Sequence, residues 1–296
     1  MAKRVSMNSL VIFGLGYSAQ VFARRMLERG WQVVGTTRSG DSAASLRAQG
    51  FNAVVFTGEA PCIEARDALV KATHVLVSIA PGADGDPVLS CHGGDLAQAQ
   101  NLKWLGYLST VGVYGDYGGA WVDEEAPLNP KSERSVQRVT AEKAWAVFGS
   151  ETGVAVHLFR LAGIYGPGRG PFEKVRQGKA RRIVKPDQVF NRIHVEDIAT
   201  VLEASIAHPR GGAIYNVSDN EPAPPQDVVA HASRELGMEP PPEVAFEDAD
   251  LSPMGRSFYG ENKRVSNARI RQELKVALSY PTYREGMRYT DGASGK

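Results

Sequence analysis

The feature that most constrains this chain stands near its start. A short apolar run, Ser9–Gly14, leads directly into Gly14-Leu15-Gly16-Tyr17-Ser18-Ala19. An amphipathic stretch follows over about Ser18–Arg29, with Val21, Phe22, Met26 and Leu27 on one stripe and Gly30 to stop it. Strand, Gly-x-Gly-x-x-Ala and helix in that order predict a phosphate-binding turn. Gly14 permits the tight bend, Gly16 lets the backbone approach a pyrophosphate, and Ala19 is small enough for the helix to pack on the strand. The helix N-terminus, with Leu15, Tyr17 and Ser18 around it, then faces the anion. The alternative is a tight strand–helix turn that binds nothing.

Further apolar, β-branched runs recur between helical stretches: Gln32–Thr37, Ala53–Phe56, His74–Ala80, Trp104–Ser109 and Ala155–Leu161. A second helix is predicted from about Ser135 to Phe148. Strands alternating with helices predict an α/β fold with a Rossmann-type, doubly wound parallel sheet. After Leu161 the texture changes. Gly163–Pro171 is rich in glycine and proline, Gly178–Pro186 is basic, and Glu221–Pro225 and Pro240–Pro242 are proline clusters. These read as loops of a smaller, interleaved substrate region. The expected division is a dinucleotide-binding domain over 1–165, with 190–220 (strand-like at Arg192–Val195 and Ala213–Val217) returning to it. Segments 166–189 and 221–296 make up the substrate region.

Composition removes several function classes. The 34 basic side chains nearly balance the 33 acidic ones, so no broad field favours nucleic acid or an anionic membrane. The basic Met1–Arg4 precedes an apolar run, Leu10–Phe13, too short for a signal-peptide core. No stretch approaches the roughly 20 apolar residues that span a bilayer. The two cysteines, Cys62 and Cys91, and the six histidines show no metal-ligand spacing, so no metal is expected. The expected setting is cytoplasmic, and the expected partner is a small molecule.

An NAD site carries an acid about 20 residues past the glycines, where it holds the ribose hydroxyls. Here the second strand ends in Gly35-Thr36-Thr37-Arg38-Ser39. An acid would repel a 2′-phosphate, whereas Arg38 can pair with it and the hydroxyls of Thr37 and Ser39 can donate to it. NADP is therefore expected over NAD. The alternative for Arg38 is a solvated surface arginine. Strand-end residues Ala80 and Ser109 complete the expected cofactor contacts.

Together with later motifs, this turn resembles the extended short-chain dehydrogenase/reductases, the NAD-dependent epimerase/dehydratase superfamily, over almost the whole chain. Tyr107-Leu-Ser-Thr110-Val-Gly-Val-Tyr114-Gly115 is similar to the family's fifth strand, and Phe159–Gly168 to its sixth strand and the loop beside the nicotinamide. Asn191–Ala199, Tyr215–Asp219 and Lys263–Ile270 resemble its later segments. The resemblance implies a catalytic Ser/Thr, which is Thr110 here, with Ser109 beside it. It also implies a Tyr-x-x-x-Lys pair on the next helix. With Glu142 taken as the usual acid four places past the lysine, those positions hold Arg134 and Arg138, as in an atypical subgroup. An arginine stays protonated and cannot transfer the tyrosine's proton. The one Tyr-x-x-x-Lys in the chain, Tyr259–Lys263, lies far past that helix and reads as coincidence.

Family dehydratases carry Asp-Glu after the Ser/Thr. Val111 and Gly112 stand there, which argues against dehydration and leaves oxidoreduction or epimerisation. Two groups are candidates for the proton. Tyr165 lies in the loop the resemblance puts near the nicotinamide, and Asp86 follows the fourth strand. A packing aromatic and a helix-capping aspartate are the respective alternatives. Tyr114 is expected to pack below the site. Arg134 and Arg138, one turn apart, share a helix face and, with Arg169, Arg192 and the basic loop, suit an anionic or sugar-derived substrate. The competing reading is a non-catalytic NADP(H)-binding redox sensor or regulatory protein. Oligomeric state is open between monomer and homodimer.

Overall fold

A computed structural model describes residues 8–288, so Met1–Arg4 lies outside the described residues. In chain order the elements open with β1 (Ser9–Phe13), α1 (Tyr17–Glu28), β2 (Gln32–Thr37), α2 (Gly40–Ala48), β3 (Asn52–Val55), α3 (Ile63–Leu69), β4 (His74–Val77), α4 (Pro87–Ala97) and β5 (Trp104–Thr110). After a 3-10 turn, Val111–Tyr114, come β6 (Trp121–Val122), α5 (Glu133–Thr152), β7 (Ala155–Leu161), β8 (Gly163–Tyr165), α6 (Pro171–Arg176), β9 (Arg182–Val184), β10 (Arg192–His194), α7 (Val195–Ile206) and β11 (Ala213–Val217). The chain ends through α8 (Pro225–Glu235), β12 (Glu243–Ala245), α9 (Pro253–Phe258), β13 (Arg264–Val265), α10 (Ala268–Gln272) and α11 (Tyr283–Gly286).

Seven strands form the main sheet in the order β11-β7-β5-β4-β1-β2-β3. The pairings β1 with β2, β1 with β4, β2 with β3 and β4 with β5 are parallel. Gly212 N–H donates to Val156 O and Ala162 N–H to Val217 O, which sets β11 parallel to β7 as well. Every residue of β1 and β4 is buried, as expected of central parallel strands covered on both faces. The order reverses between β1 and β4, and β1 ends in the glycine turn at that switch point.

The α/β, Rossmann-type architecture is as the sequence predicts, with one strand misplaced. Residues Arg192–His194 do not return to the main sheet. They pair with β8 in a separate two-stranded sheet, Arg192 opposite Gly163 and His194 opposite Tyr165. The Gly163 N–H donates to Asn191 O, so the pairing of this strand begins directly where the chain leaves β7.

Two compact units share the chain. The first comprises the part up to Ser109, Val136–Phe159 and Ala199–Tyr215. Its core joins Val11, Phe13, Val75 and Val77 of the central strands to Tyr107, Trp145 and Phe148. The second comprises Thr110–Ser135, Arg160–Ile198 and the part from Asn216 on. Its core gathers Tyr165, Val175, Val228, Ala232, Tyr283 and Met287. Among the described residues, no helix is long and apolar enough to cross a membrane.

Candidate functional site

β1 delivers the chain to Gly14, whose φ of +91° a side chain rarely adopts. A Cβ there would also lie 2.9 Å from Ile79 Cγ1 and 3.2 Å from the Ile79 backbone nitrogen. The turn is pinned to β2: the Gly14 N–H donates to Thr36 Oγ1 at 3.0 Å and the Leu15 N–H to Thr36 O at 2.7 Å. Leu15 is buried against Gly35, where a Cβ would meet it at 2.8 Å. Gly16 differs from Gly14. It is the exposed N-cap of α1, with an ordinary φ of −87° and no side chain capping the helix. A Cβ on Gly16 would meet nothing within 4 Å. Tyr17 and the buried Ser18 begin the helix there. An uncapped helix end under open space suits an anion.

At the end of β2, Thr37 is half-buried and Arg38 is exposed, with no hydrogen bond or ion pair among the described residues. Ser39 caps α2, its hydroxyl accepting from the Ser42 N–H at 3.2 Å. No carboxylate stands at the strand end, and the first acid beyond it, Asp41, lies inside α2. Ala80 is exposed beyond β4. Ser109 is buried and donates to Glu142 Oε1 at 2.6 Å, so its proton is committed within the fold.

The chemical candidates divide sharply. Thr110 ends β5 half-buried, and its Oγ1 accepts the Gly112 N–H at 3.1 Å, leaving the hydroxyl proton able to donate. Asp86 has structural partners on both oxygens. Oδ1 caps α4 through the Val88 and Leu89 N–H groups, at 2.9 and 3.2 Å, and Oδ2 accepts from Trp145 Nε1 at 3.2 Å. Burial pushes its carboxyl up, against the pull of those donors. The helix-capping alternative is therefore the one its geometry supports. Tyr165 is buried, its hydroxyl donating to Thr282 O at 3.3 Å and its ring edge-on to His194. Burial pushes its hydroxyl pKa well above the ordinary tyrosine value, which makes it a poorer acid, so its surroundings support the packing alternative. Tyr114 also packs, bonding Asn216 Oδ1 at 2.7 Å and receiving Arg160 Nη1 at 2.9 Å.

The two arginines of α5 do not present a matched pair. Arg134 is exposed. Arg138 is half-buried and donates to the Tyr107 hydroxyl and the Leu108 carbonyl. Its expected contact with substrate gives way to this bond between helix and strand.

In the second unit Arg169 is exposed in a turn closed by reciprocal bonds between Gly166 and Arg169, at 2.9 and 3.0 Å. Arg192 donates through Nη1 to the Phe190 and Ala223 carbonyls. Asp197, buried, accepts from the Ser279 and Tyr280 N–H groups and holds the C-terminal segment. One group escaped the sequence reading. Asp219 is almost wholly buried beyond β11, and burial lifts its carboxyl to about 8. Nothing in a Ser-Asp-Asn stretch signals that its middle residue points inward.

A Gly-x-Gly turn at the switch point of a seven-stranded sheet defines a Rossmann-type protein. The NAD dependent epimerase/dehydratase family matches residues 94–218. Protein YeeZ of Escherichia coli K12 is 30% identical over 93% of this chain and 97% of its own length. A solved structure of a conserved protein of unknown function from Silicibacter pomeroyi is 51% identical, covers 95% of this chain and 97% of its own, and superposes with a TM-score of 0.87. A 3-diazoavenalumate denitrifying reductase from a Streptomyces is 26% identical over 67% of this chain and 68% of its own. The chain belongs to the NAD-dependent epimerase/dehydratase family.

Proposed function

We propose that this protein binds NADP(H) through its first unit and reduces or epimerises a polar, anionic or sugar-derived small molecule. The observation that carries the reading is the open, uncapped α1 N-terminus at Gly16, taken with an exposed Arg38 and no carboxylate at the end of β2. The family description supports the dinucleotide, and Arg38 alone argues for the phosphorylated form. Backbone N–H groups around Gly16–Ser18 hold the pyrophosphate, and Arg38 and Thr37 hold the 2′-phosphate. When bound, the nicotinamide supplies or takes the hydride.

Thr110 is assigned to orienting a substrate oxygen through its remaining proton. Asp86 is left out, because both its oxygens already have partners. Exposed Arg134 and Arg169, and Arg192, supply the charge for an anionic substrate. A relative described as a reductase favours reduction over epimerisation. A second reading, a redox sensor without turnover, draws on Arg138, which fills the lysine's place with a side chain bonded to Tyr107 and unable to move a proton.

One experiment separates them. The protein is loaded with NADPH, nicotinamide fluorescence is followed, and fractionated bacterial metabolites are added, with Thr110→Ala as control. Loss of fluorescence in one fraction that Thr110→Ala does not reproduce supports a reductase. Binding without consumption in any fraction removes simple reduction. Failure to bind NADPH removes both readings.

A further inference from the structure

The second unit carries an open cavity of about 340 Å³, lined by Trp121, Val122, Asp123, Ala126 and Ser266. Its walls come from the β6–β13 pair. Trp121 stands opposite Arg264 and Val122 opposite Val265, and the Ser266 N–H donates to Val122 O at 2.8 Å. Side chains alternate along a strand, and burial follows that period. Val122 and Val265 are buried, whereas Trp121 is 60% exposed and Asp123 is exposed, so Trp121 and Asp123 share the open face. Beyond Asp123 the chain turns back. The Glu125 N–H donates to Asp123 Oδ1 at 3.0 Å and the Ala126 N–H to Asp123 O at 3.2 Å, which brings Ala126 to the cavity.

Each polar or aromatic group on this face is free to meet a ligand. The indole has no hydrogen bond, ring contact or overlying cation among the described residues. Arg264, its neighbour across the strand pair, turns Nη1 to the Gly119 carbonyl and does not line the cavity. Asp123 has no ion pair among the described residues. The guanidinium of Arg269 reaches this segment, but Glu124, Glu125 and Glu273 share it. Ser266 Oγ accepts the Ala268 N–H at 3.4 Å, which leaves its proton able to donate.

The cavity thus offers a flat π face, a carboxylate and a hydroxyl, with no cationic side chain in its lining. An ionised carboxylate only accepts, and an indole is the ring that attracts cations best. A neutral polyol would hydrogen-bond here but leave the charge of Asp123, with Glu124 and Glu125 beside it, unanswered. We propose that this cavity binds an organic cation, an alkylammonium group seated on the Trp121 indole with Asp123 as its counter-charge. The site goes beyond the function proposed above, which uses neither residue.

Choline and its neutral isostere 3,3-dimethylbutan-1-ol share a shape and differ in charge, and glucose supplies a polyol. Each is titrated into the intact protein at constant ionic strength while the amide signals of Trp121–Ala126 and Ser266 are followed. Choline shifts them saturably, and the neutral alcohol binds at least about tenfold more weakly. Trp121→Leu, which keeps apolar bulk, weakens choline at least about fivefold. Asp123→Asn, which keeps the Oδ1 that accepts from Glu125, weakens it about threefold. Both side chains are exposed, so an unchanged Tm certifies that the variants are folded. Absence of saturable choline shifts in the wild type overturns the proposal. Equal affinity for the neutral alcohol, tighter binding of glucose, or unchanged choline affinity in Trp121→Leu overturns it as well.

Discussion

The guanidinium of Arg138 lies over the ring of Tyr107, 5.6 Å from its centroid, and donates to that tyrosine's hydroxyl at 3.1 Å while holding the Leu108 carbonyl at 2.5 Å. Arg138 thus ties α5 to β5 within the first unit. Arg138→Ala strands a hydroxyl and a carbonyl and is expected to cost about 1–3 kcal/mol. Scanning calorimetry reads this as a lower Tm, with NADPH affinity little changed. A variant of unchanged Tm that binds substrate poorly would show the arginine to be a ligand contact instead.

Asp86 and Trp145 make the next test. In Asp86→Asn the cap on α4 can survive, but an amide N–H then confronts the Trp145 N–H, and the buried clash costs about 1–3 kcal/mol. Tryptophan fluorescence shifts and Tm falls together. If Asp86→Asn keeps both and loses turnover, the carboxyl is catalytic after all.

The two glycines of the turn should separate folding from binding. At Gly14 an added methyl meets Ile79 and a positive φ, so Gly14→Ala destabilises the unit by about 1–3 kcal/mol. At Gly16 the backbone is ordinary and the space open, so Gly16→Ala keeps its Tm. It places a methyl where the pyrophosphate would sit and weakens NADPH binding at least about tenfold. Equal NADPH affinity in Gly16→Ala and wild type would mean that no phosphate approaches this turn.

Arg38 is exposed and has no partner among the described residues, so its removal should leave stability alone. Losing one charge-assisted pair with a 2′-phosphate costs about 1.5–3 kcal/mol, or roughly 10- to 100-fold in NADPH affinity. NADH, which lacks that phosphate, should be indifferent. The ratio of the two affinities, measured for wild type and Arg38→Ala, decides the matter, and an unchanged ratio removes the NADP preference.

What could be read from sequence follows from how local each signal is. The Gly14–Ala19 turn, the strands beside it and α1 are set by contiguous patterns, and they sit within a residue or two of their predicted limits. The run His74–Ala80 predicts a strand longer than β4: the paired register ends at Val77, and apolar character continues through Ile79 and Ala80 without a strand to carry it. Arg192–His194 reads as a strand, but its partner depends on where residues some thirty positions earlier turn, which no local pattern records. The same limit governs the side chains. The sequence cannot tell whether Asp86 faces a ligand or Trp145, or that Ser109 meets Glu142, because each partner is brought in by a distant helix.

Stability against pH tests the buried titrating groups as a set. Burial holds His74, His157 and His194 near 4, below the ordinary 6.5, so the fold favours their neutral forms. Their contribution is complete above about 6.5 and is lost as pH falls toward 4. Asp219 has the opposite sign. Its carboxyl is lifted from 3.8 to about 8, so its contribution is complete below about 4 and is lost as pH rises through 8. Asp86 and Glu124, also raised by burial, act with Asp219 at the lower end. On the acid side the three histidines dominate, and above about 6.5 Asp219 acts alone among these groups. Urea unfolding should therefore give a maximum near about pH 6.5 and a decline of about 1 kcal/mol per pH unit toward about pH 8. Asp219→Asn should remove that decline and leave the acid limb in place. A wild-type curve that is flat above the maximum would mean that Asp219 is ionised in the fold, with the charge of Arg192 offsetting the cost of its burial.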